Sequence, residues 1–351
     1  MLNNLKSKLP LAIDLFSGCG GLTEGLKRAG FNVIGAVEID SLASETYLSN
    51  HPEVLMFRRD IREVASAEIL KTLKIKKGQL DLLAGCPPCQ GFSSMRTRNG
   101  KKRNYDKRND LVFEYLRLVA EIMPKTVMME NVPALANDRR MKMITAKLVS
   151  LGYDNNETPL ILNTADYGVP QRRYRMILLS SRVGKIHLPE KDKIRKTVKD
   201  AIGHLSKPGK SGDPLHDLIE KRTPRIEKLI SLIPKNGGSR KELPTSFQLP
   251  CHRRLNGKGD GFKDVYGRMK WTDVSPTITG GCISPSKGRF LHPSQNRSIT
   301  LREAALLQTF PEKYNFSLSK GRQGVALMIG NALPPLFIRK HAEAIRRLLF
   351  R

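Results

Sequence analysis

LAIDLFSGCGGLTEGLKRAGFNVIGAVEID, residues 11–40, decides how this chain folds. It opens on an apolar run (LAIDLF), passes through a glycine-rich turn (SGCGG, 17–21), continues as an amphipathic stretch (LTEGLKRAG) and returns to a second apolar run (VIGAVE). Strand, tight turn, helix and strand in about 30 residues make one crossover unit of a parallel sheet. Gly30 follows the helix as a C-terminal stop, and SLASETYLSN repeats the helical pattern with Ser41 read as its N-cap and Pro52 just past its end. Further strands read at LDLLAG (80–85), TVMME (126–130) and YRMILLS (174–180), so the alternation runs from residue 11 to about 184.

Between about 185 and 297 that rhythm fails. The segment is rich in Lys, Gly, Pro and Ser and holds only short β-like pieces such as TSFQL and PTIT. Regular character returns at LREAALLQTF (301–310) and at LFIRKHAEAIRRLLF, an amphipathic pattern that closes the chain. At 351 residues the chain exceeds what one hydrophobic core usually organises, about 250 residues, so two lobes are expected. The expected division is 1–184 plus 325–351 for the sheet domain and 185–324 for a smaller, irregular domain, with a hinge helix near 301–310.

Lys and Arg number 61 against 33 Asp and Glu, a formal charge of +28, and an excess of this size points to a polyanionic partner, nucleic acid ahead of an anionic membrane. No stretch approaches the ~18 apolar residues of a membrane helix, and the run LPLAIDLF is short and carries Asp14. A soluble, cytoplasmic protein without a membrane partner is expected. Five cysteines (Cys19, Cys86, Cys89, Cys251 and Cys282) are too few and too irregularly spaced for a disulfide framework, so a special cysteine would be special for its reactivity.

The glycine turn (Gly18, Gly20, Gly21) follows a strand that ends in Asp14 and Phe16, at the carboxyl edge of the sheet where α/β folds bind cofactors. The next strand ends at Glu38, where an acidic side chain can accept hydrogen bonds from ribose hydroxyls; a third ends near Asp60 and Ile61, suited to an adenine edge and face. The turn lacks the phosphate-cradling GxxxxGK[ST] pattern, and three carboxylates (Asp14, Glu38, Asp60) would repel a pyrophosphate. A nucleoside bearing a cation fits better, and S-adenosylmethionine carries a sulfonium.

GCPPCQGFS (85–93) follows directly on the strand LDLLA, so its cysteines lie on the same edge. Three readings compete for Cys86 and Cys89. Half a zinc site would need a second ligand pair, and none has the spacing. A CPPC redox pair belongs to a small fold with no place for a glycine-turn nucleoside pocket. The third reading is one nucleophilic thiolate beside a structural cysteine.

DLFSGCGG, PPCQGFS, MMENV, GVPQRRYRMI, LREAALLQTFP and GNALPP occur in the order found in DNA cytosine-C5 methyltransferases, and the chain resembles that bacterial-type family over nearly its whole length. Residues 185–297 lack a strong match apart from SPTITGG (275–281), which is similar to the family's threonine-containing recognition element. The resemblance implies an α/β fold: a Rossmann-like, S-adenosylmethionine-dependent methyltransferase sheet with a second, smaller, irregular, mostly-β target recognition domain. It also implies flipping of a cytosine out of double-stranded DNA, with Cys89 adding to its C6 and Glu130 supplying a proton at N3. Asn131 would order the turn after Glu130 through its amide.

Arg173 and Arg175 lie two apart on an expected strand, hence on one face. The resemblance gives Arg175 the base's O2 and Arg173 the thiolate or the backbone, with Gln171 in support. Cofactor contacts are implied at Phe16, Glu38, Ile39, Asp60, Pro88 and Asn331, and no metal is called for. Residues 94–109 hold seven Lys or Arg and one Asp directly after the nucleophile, a phosphate-grasping loop in which Arg96 and Arg98, with the preceding Ser93, are candidate DNA contacts. Gln171 and Thr277 join them as DNA contacts. A monomer is expected, with a cognate restriction endonuclease acting on the same site without forming a stable complex.

Two rivals remain at this stage. A transfer RNA cytosine methyltransferase could use the same scaffold, but about 110 residues of variable basic sequence and the GFS after PCQ favour DNA. A catalytically inert nucleic-acid-binding protein would not need every reactive position that is present.

Overall fold

In the computed structural model, which describes residues 9–88, 110–154, 159–249 and 264–350, the alternation closes into a seven-stranded sheet. Its strands are β1 (Leu11–Leu15), β2 (Asn32–Val37), β3 (Leu55–Phe57), β4 (Leu82–Gly85), β5 (Thr126–Asn131), β6 (Leu160–Asn163) and β7 (Tyr174–Ser181), in the spatial order β3-β2-β1-β4-β5-β7-β6. The crossover helices are α1 (Gly21–Arg28), α2 (Ser41–Asn50), α3 (Ser66–Thr72), α4 (Leu111–Ile122) and α5 (Arg139–Ser150).

β1 to β5 run parallel, but β7 is antiparallel to both neighbours, which corrects the all-parallel expectation. A parallel return needs a crossover of a dozen or more residues, usually a helix. Between β6 and β7 there is only one 3-10 turn (Thr164–Tyr167) and a six-residue segment, so the strand reverses. The order turns at β1/β4, and the loops after β1 and β4 leave the carboxyl edge on either side of that switch point.

The helices begin and end for local reasons. Gly20, at φ 92°, caps α1, whose first turn carries Glu24 and whose last carries Lys27 and Arg28, complementing the helix dipole. Gly30 sits in the left-handed region at φ 85°, just past the end of α1. The N-cap of α2 is Asp40, whose carboxylate accepts the Ala43 N–H at 2.8 Å; Ser41, read as the cap from sequence, is the first helical residue. Tyr115 of α4 is fully buried against the sheet, and its hydroxyl donates to the Leu83 and Met128 carbonyls at 3.0 and 3.1 Å. With Ile13, Val37, Leu83, Met129, Leu118 and Leu148 it forms the core beneath the edge. The C-terminal helix (Pro335–Leu349) packs on α1: a Cβ at Gly25 would meet the Pro335 carbonyl and Ile338 at 2.6 Å, so only glycine admits the approach.

The chain divides into two compact units. The first runs to Tyr167, resumes over Tyr174–Lys191 and takes in the chain from Leu333 onward; the second is Gly168–Arg173 with Asp192–Ala332. The sequence divisions at 184/185 and 324/325 thus compare with Lys191 and Leu333 in the structure.

The described residues of the second unit are not mostly β. Among its described residues the regular elements are helices (Val198–Ile202, Pro214–Asp217, Pro224–Leu232, Leu301–Leu307, Gly321–Asn331), and strand pairing is limited to isolated bridges such as Gln171 with Ser275 and Arg268 with Leu291. TSFQL, expected as β-like, contains a 3-10 turn at Thr245–Phe247. The physical reason is that arginine side chains, not ladders, satisfy the buried carbonyls. The fully buried Arg268 guanidinium donates to the carbonyls of Ile230, Ile233, His292 and Gln295 and to the Asn296 side chain. Arg297 and Glu303 form a second buried anchor at 2.6 and 2.7 Å, next to the Thr300 capping box that opens Leu301–Leu307.

Candidate active site

At the end of β1, Phe16 adopts φ 59°, a left-handed conformation costly for a residue with a side chain, and the backbone turns under β2. Gly18 follows at φ 54°, with open space where a Cβ would stand. Its N–H donates to Glu38 Oε2 at 2.7 Å, while Oε1 accepts the Ile39 and Asp40 N–H groups at 3.0 and 2.8 Å. Three of roughly four lone-pair sites on that carboxylate are thus filled from the backbone, leaving one on Oε2. Burial raises the proton affinity of Glu38 against these bonds.

Asp14 lies deeper than its sequence position suggests. It is fully buried, its Oδ2 accepts the Thr23 hydroxyl at 2.7 Å, and that hydroxyl is 2.8 Å from the Tyr47 hydroxyl. Oδ1 has no hydrogen-bond partner. Burial pushes the carboxyl up to about 7, partly opposed by Thr23 and reinforced by Glu38. Thr23 and Tyr47 were invisible as site residues in the sequence, because each reads as an ordinary helical position.

Asp60 caps the 3-10 turn Ile61–Glu63 and pairs with Arg62, which holds its carboxyl below the usual range. Ile61, expected as an adenine face, is instead buried in the core with Val37 and Phe57, whereas Ile39 is 66% exposed. A solvent-facing apolar side chain at this edge is therefore Ile39.

The reactive end is built where β4, β5 and β7 meet. Glu130, the fifth residue of β5, is 1% exposed, with Cys86 Sγ 3.0 Å from its Oε2 and Arg175 Nε 3.0 Å from its Oε1. Asn131 donates to the Pro87 carbonyl at 2.8 Å and accepts the Val132 N–H at 2.8 Å, so its amide ties the end of β5 to the CPP segment. Pro88 is half-buried at the end of that segment. Cys89, Ser93, Arg96 and Arg98 lie outside the described residues, as does the basic loop they begin. Burial pushes the Cys19 and Cys282 thiols up to about 12, which makes both unreactive. Among the described residues no group of three or more His, Cys, Asp or Glu could hold a metal ion.

Arg173 and Arg175 do not share a face. Arg175 stands on β7 opposite Leu162, but Arg173 precedes the strand and belongs to the second unit. Its buried guanidinium donates to the Ile278 carbonyl at 2.8 Å and the Gly330 carbonyl at 2.9 Å. Gln171, expected at a DNA surface, is fully buried: its amide donates to Gln308 Oε1 at 2.8 Å and its oxygen accepts the Ile278 N–H at 2.9 Å. Gln308 in turn donates to the Ile329 carbonyl at 2.6 Å. The Thr277 hydroxyl donates to the Arg172 carbonyl at 2.8 Å, and Asn331 is exposed at the last residue of the helix Gly321–Asn331. Four separate stretches of sequence therefore meet in one buried polar knot within the second unit. Gln308, its centre, was not singled out in the sequence.

One mixed α/β sheet thus carries an open glycine turn after β1 and a buried carboxylate between a guanidinium and a thiol at the end of β5. The chain belongs to the C-5 cytosine-specific DNA methylase family, whose model matches residues 11–347. It is 35% identical over 355 residues to the Type II methylase M.HgiDII of Herpetosiphon aurantiacus, covering 96% of this chain and 95% of that one. It is 34% identical to the Type II methyltransferase M1.HphI of Haemophilus parahaemolyticus, over 96% of this chain and 86% of the relative. A crystal structure of a prophage-encoded E. coli chain assigned to the DNA modification methyltransferases superposes with a TM-score of 0.70 at 27% identity, covering 97% of this chain and all of that one. The Entamoeba histolytica methyltransferase EhMeth shares the fold at a TM-score of 0.64 and 17% identity, over 98% and 99% of the two chains.

Proposed function

We propose that this protein transfers a methyl group from S-adenosylmethionine to C5 of a cytosine flipped out of double-stranded DNA, with the first unit catalytic and the second reading the target sequence. The observation that carries the reading is the setting of Glu130, a buried carboxylate between Arg175 and Cys86, with Asn131 gripping the backbone two residues before Cys89. Cytosine C5 is too weak a nucleophile to attack a sulfonium methyl unaided. Addition of the Cys89 thiolate to C6, with a proton passing from Glu130 to N3, turns C5 into an enamine carbon. Once C5 carries the methyl group, loss of its proton to a base re-forms the 5,6 double bond and expels the Cys89 thiolate, and N3 returns its proton to Glu130. Arg175, in reach of the same carboxylate, would hold the base's O2, and Thr277 with Ser93, Arg96 and Arg98 would contact the DNA.

The donor edge fits a cationic nucleoside. S-adenosylmethionine supplies the electrophilic methyl group when bound. Glu38 keeps one open lone-pair site for a ribose hydroxyl, the exposed Ile39 offers an apolar face, and the unpartnered Asp14 Oδ1 leaves an open acceptor beneath the turn. Pro88 would join that set. Names such as Type II methyltransferase among the relatives support a restriction-modification setting, in which a cognate endonuclease would share the site and this methylase would act apart from it as a monomer. Bisulfite sequencing of plasmid from cells expressing the protein tests all of this at once. Methylated cytosines at one recurring sequence are expected, and unmodified plasmid from cells making folded protein would refute the proposal.

A further inference from the structure

We propose that Cys86 is a positioning residue for the Glu130 carboxyl, holding the acid through its thiol hydrogen and stabilising the carboxylate left when the proton has gone to the base. The inference rests on Glu130 being the acid. Sheet register makes the contact: Gly85 pairs with Met129 across β4 and β5, so the next residues, Cys86 and Glu130, fall side by side. The Cys86 N–H donates to the Leu15 carbonyl at 3.2 Å, which fixes the backbone that carries the thiol. Sγ then lies 3.0 Å from Oε2. Arg175 from β7 and Cys86 from the end of β4 are thus two of the groups that neighbouring elements bring against Glu130, and Cys89 lies outside the described residues.

These two neighbours act differently. Arg175 is a permanent cation on Oε1. Against an ionised carboxylate Cys86 acts only as a neutral donor, and a donor to the ionised form lowers the carboxyl's proton affinity. Because Glu130 is almost wholly buried, bulk water cannot replace a lost donor. As the Cys89 thiolate adds to C6 and N3 takes the proton, negative charge appears on Glu130 and the thiol hydrogen bond strengthens. Cys86 would therefore lower the barrier to addition without touching the base. It is neither half of a redox pair nor a second nucleophile in this role.

The test is single-turnover methylation by the full-length protein, with saturating DNA and S-adenosylmethionine, across about pH 5.5 to 9.5. The acid is needed protonated and the thiolate ionised, so the profile is bell-shaped; its limbs are the macroscopic ionisations of the pair, and the limb that disappears in Glu130→Gln is the one that reports the carboxyl. Cys86→Ala is expected to lower the maximal rate and move that limb up by about 0.5 to 1 pH unit, the equivalent of one hydrogen bond. Cys86→Ser retains a donor and is expected to keep the limb near its wild-type position. Thermal melts of both variants identify a folding defect, which would lower amplitude without moving the limb. An unmoved limb in a folded Cys86→Ala protein, or an equal shift in both variants, overturns the inference. Glu130→Gln separates the two readings: a wild-type rate there removes Glu130 as the acid, whereas a rate lowered about 10² to 10⁴-fold beside an unmoved Cys86→Ala limb sinks the role of Cys86 alone.

Discussion

Arg173→Leu and Arg175→Leu should fail in different ways, although the two residues are separated by one position in sequence. Arg173 makes two charge-assisted hydrogen bonds to buried carbonyls, Ile278 at 2.8 Å and Gly330 at 2.9 Å. Leucine fills part of the volume but orphans both acceptors, and each such bond is worth about 1.5 to 3 kcal/mol. A loss of roughly 3 to 6 kcal/mol is expected, a large share of the ~5 to 15 kcal/mol that holds a domain together. For a unit of about 150 residues, 1 kcal/mol moves the melting temperature by about 2 to 4 °C, so the drop should be about 6 to 24 °C. The chain has one tryptophan, Trp271, edge-on to His292 at 5.2 Å in the second unit, so its fluorescence follows this transition selectively. Arg173→Lys should recover part of the loss. Arg175→Leu should leave the Trp271 melt within about 2 °C of wild type while lowering the single-turnover rate, since its partner is Glu130 in the first unit. A Trp271 melt unchanged in Arg173→Leu, or lowered equally in both variants, would refute the division of labour.

Cys89→Ala should abolish transfer while keeping specific DNA binding, and the wild type should form a denaturation-resistant adduct with DNA containing 5-fluorocytosine, where fluorine cannot leave as a cation; absence of the adduct on gels removes the covalent mechanism. Glu38→Ala should weaken S-adenosylmethionine binding by about 1 to 3 kcal/mol in calorimetry, and unchanged affinity would mean that the ribose lies elsewhere. His51, His292 and His341 are each pushed down to about 4, chiefly by burial, so each stabilises the fold fully above the unfolded value of 6.5 and loses that contribution as pH falls toward 4. Asp14, pushed up to about 7, works in the opposite sense, its cost fading as pH falls from about 7 to 3.8. With three histidines against two carboxyls, Asp14 and Glu38, whose burial also raises its proton affinity, the urea midpoint should fall between pH 6.5 and 4, and a midpoint that rises over that interval would contradict the neutral burial of these histidines. DNA affinity should drop steeply from about 50 to 200 mM salt, as neutralising about six phosphates requires; a flat response would count against the charge argument.

What the sequence by itself determined is what depends on near neighbours and on sheet order. The run from Leu11 to Asp40 commits the backbone to strand, turn, helix and strand, because each choice there follows from periodicity and a glycine at a left-handed position. The places of Glu38 just after β2 and of Glu130 near the end of β5 were legible because the apolar runs that form those strands stop there. Asn131 was legible too, as an amide that orders the next turn.

Tertiary structure decided whatever depends on a partner distant in sequence. An alternating pattern puts Arg173 and Arg175 on one strand face, but only the assembled chain sends Arg173 to carbonyls 105 and 157 positions away. Gln171 reads as a surface residue because Gln is usually exposed; its partners, Ile278 and Gln308, come from loops that no local rule brings near. The helical, arginine-laced character of the second unit was hidden for the same reason, since a buried guanidinium satisfying four carbonyls leaves no periodic trace. Cys86 belongs here as well: its neighbour Glu130 is 44 residues on, and it took the β4/β5 register to set the thiol against the carboxylate. Local chemistry writes backbone conformation into the sequence, whereas hydrogen bonds between buried side chains are fixed only when packing has chosen which polar groups must find each other.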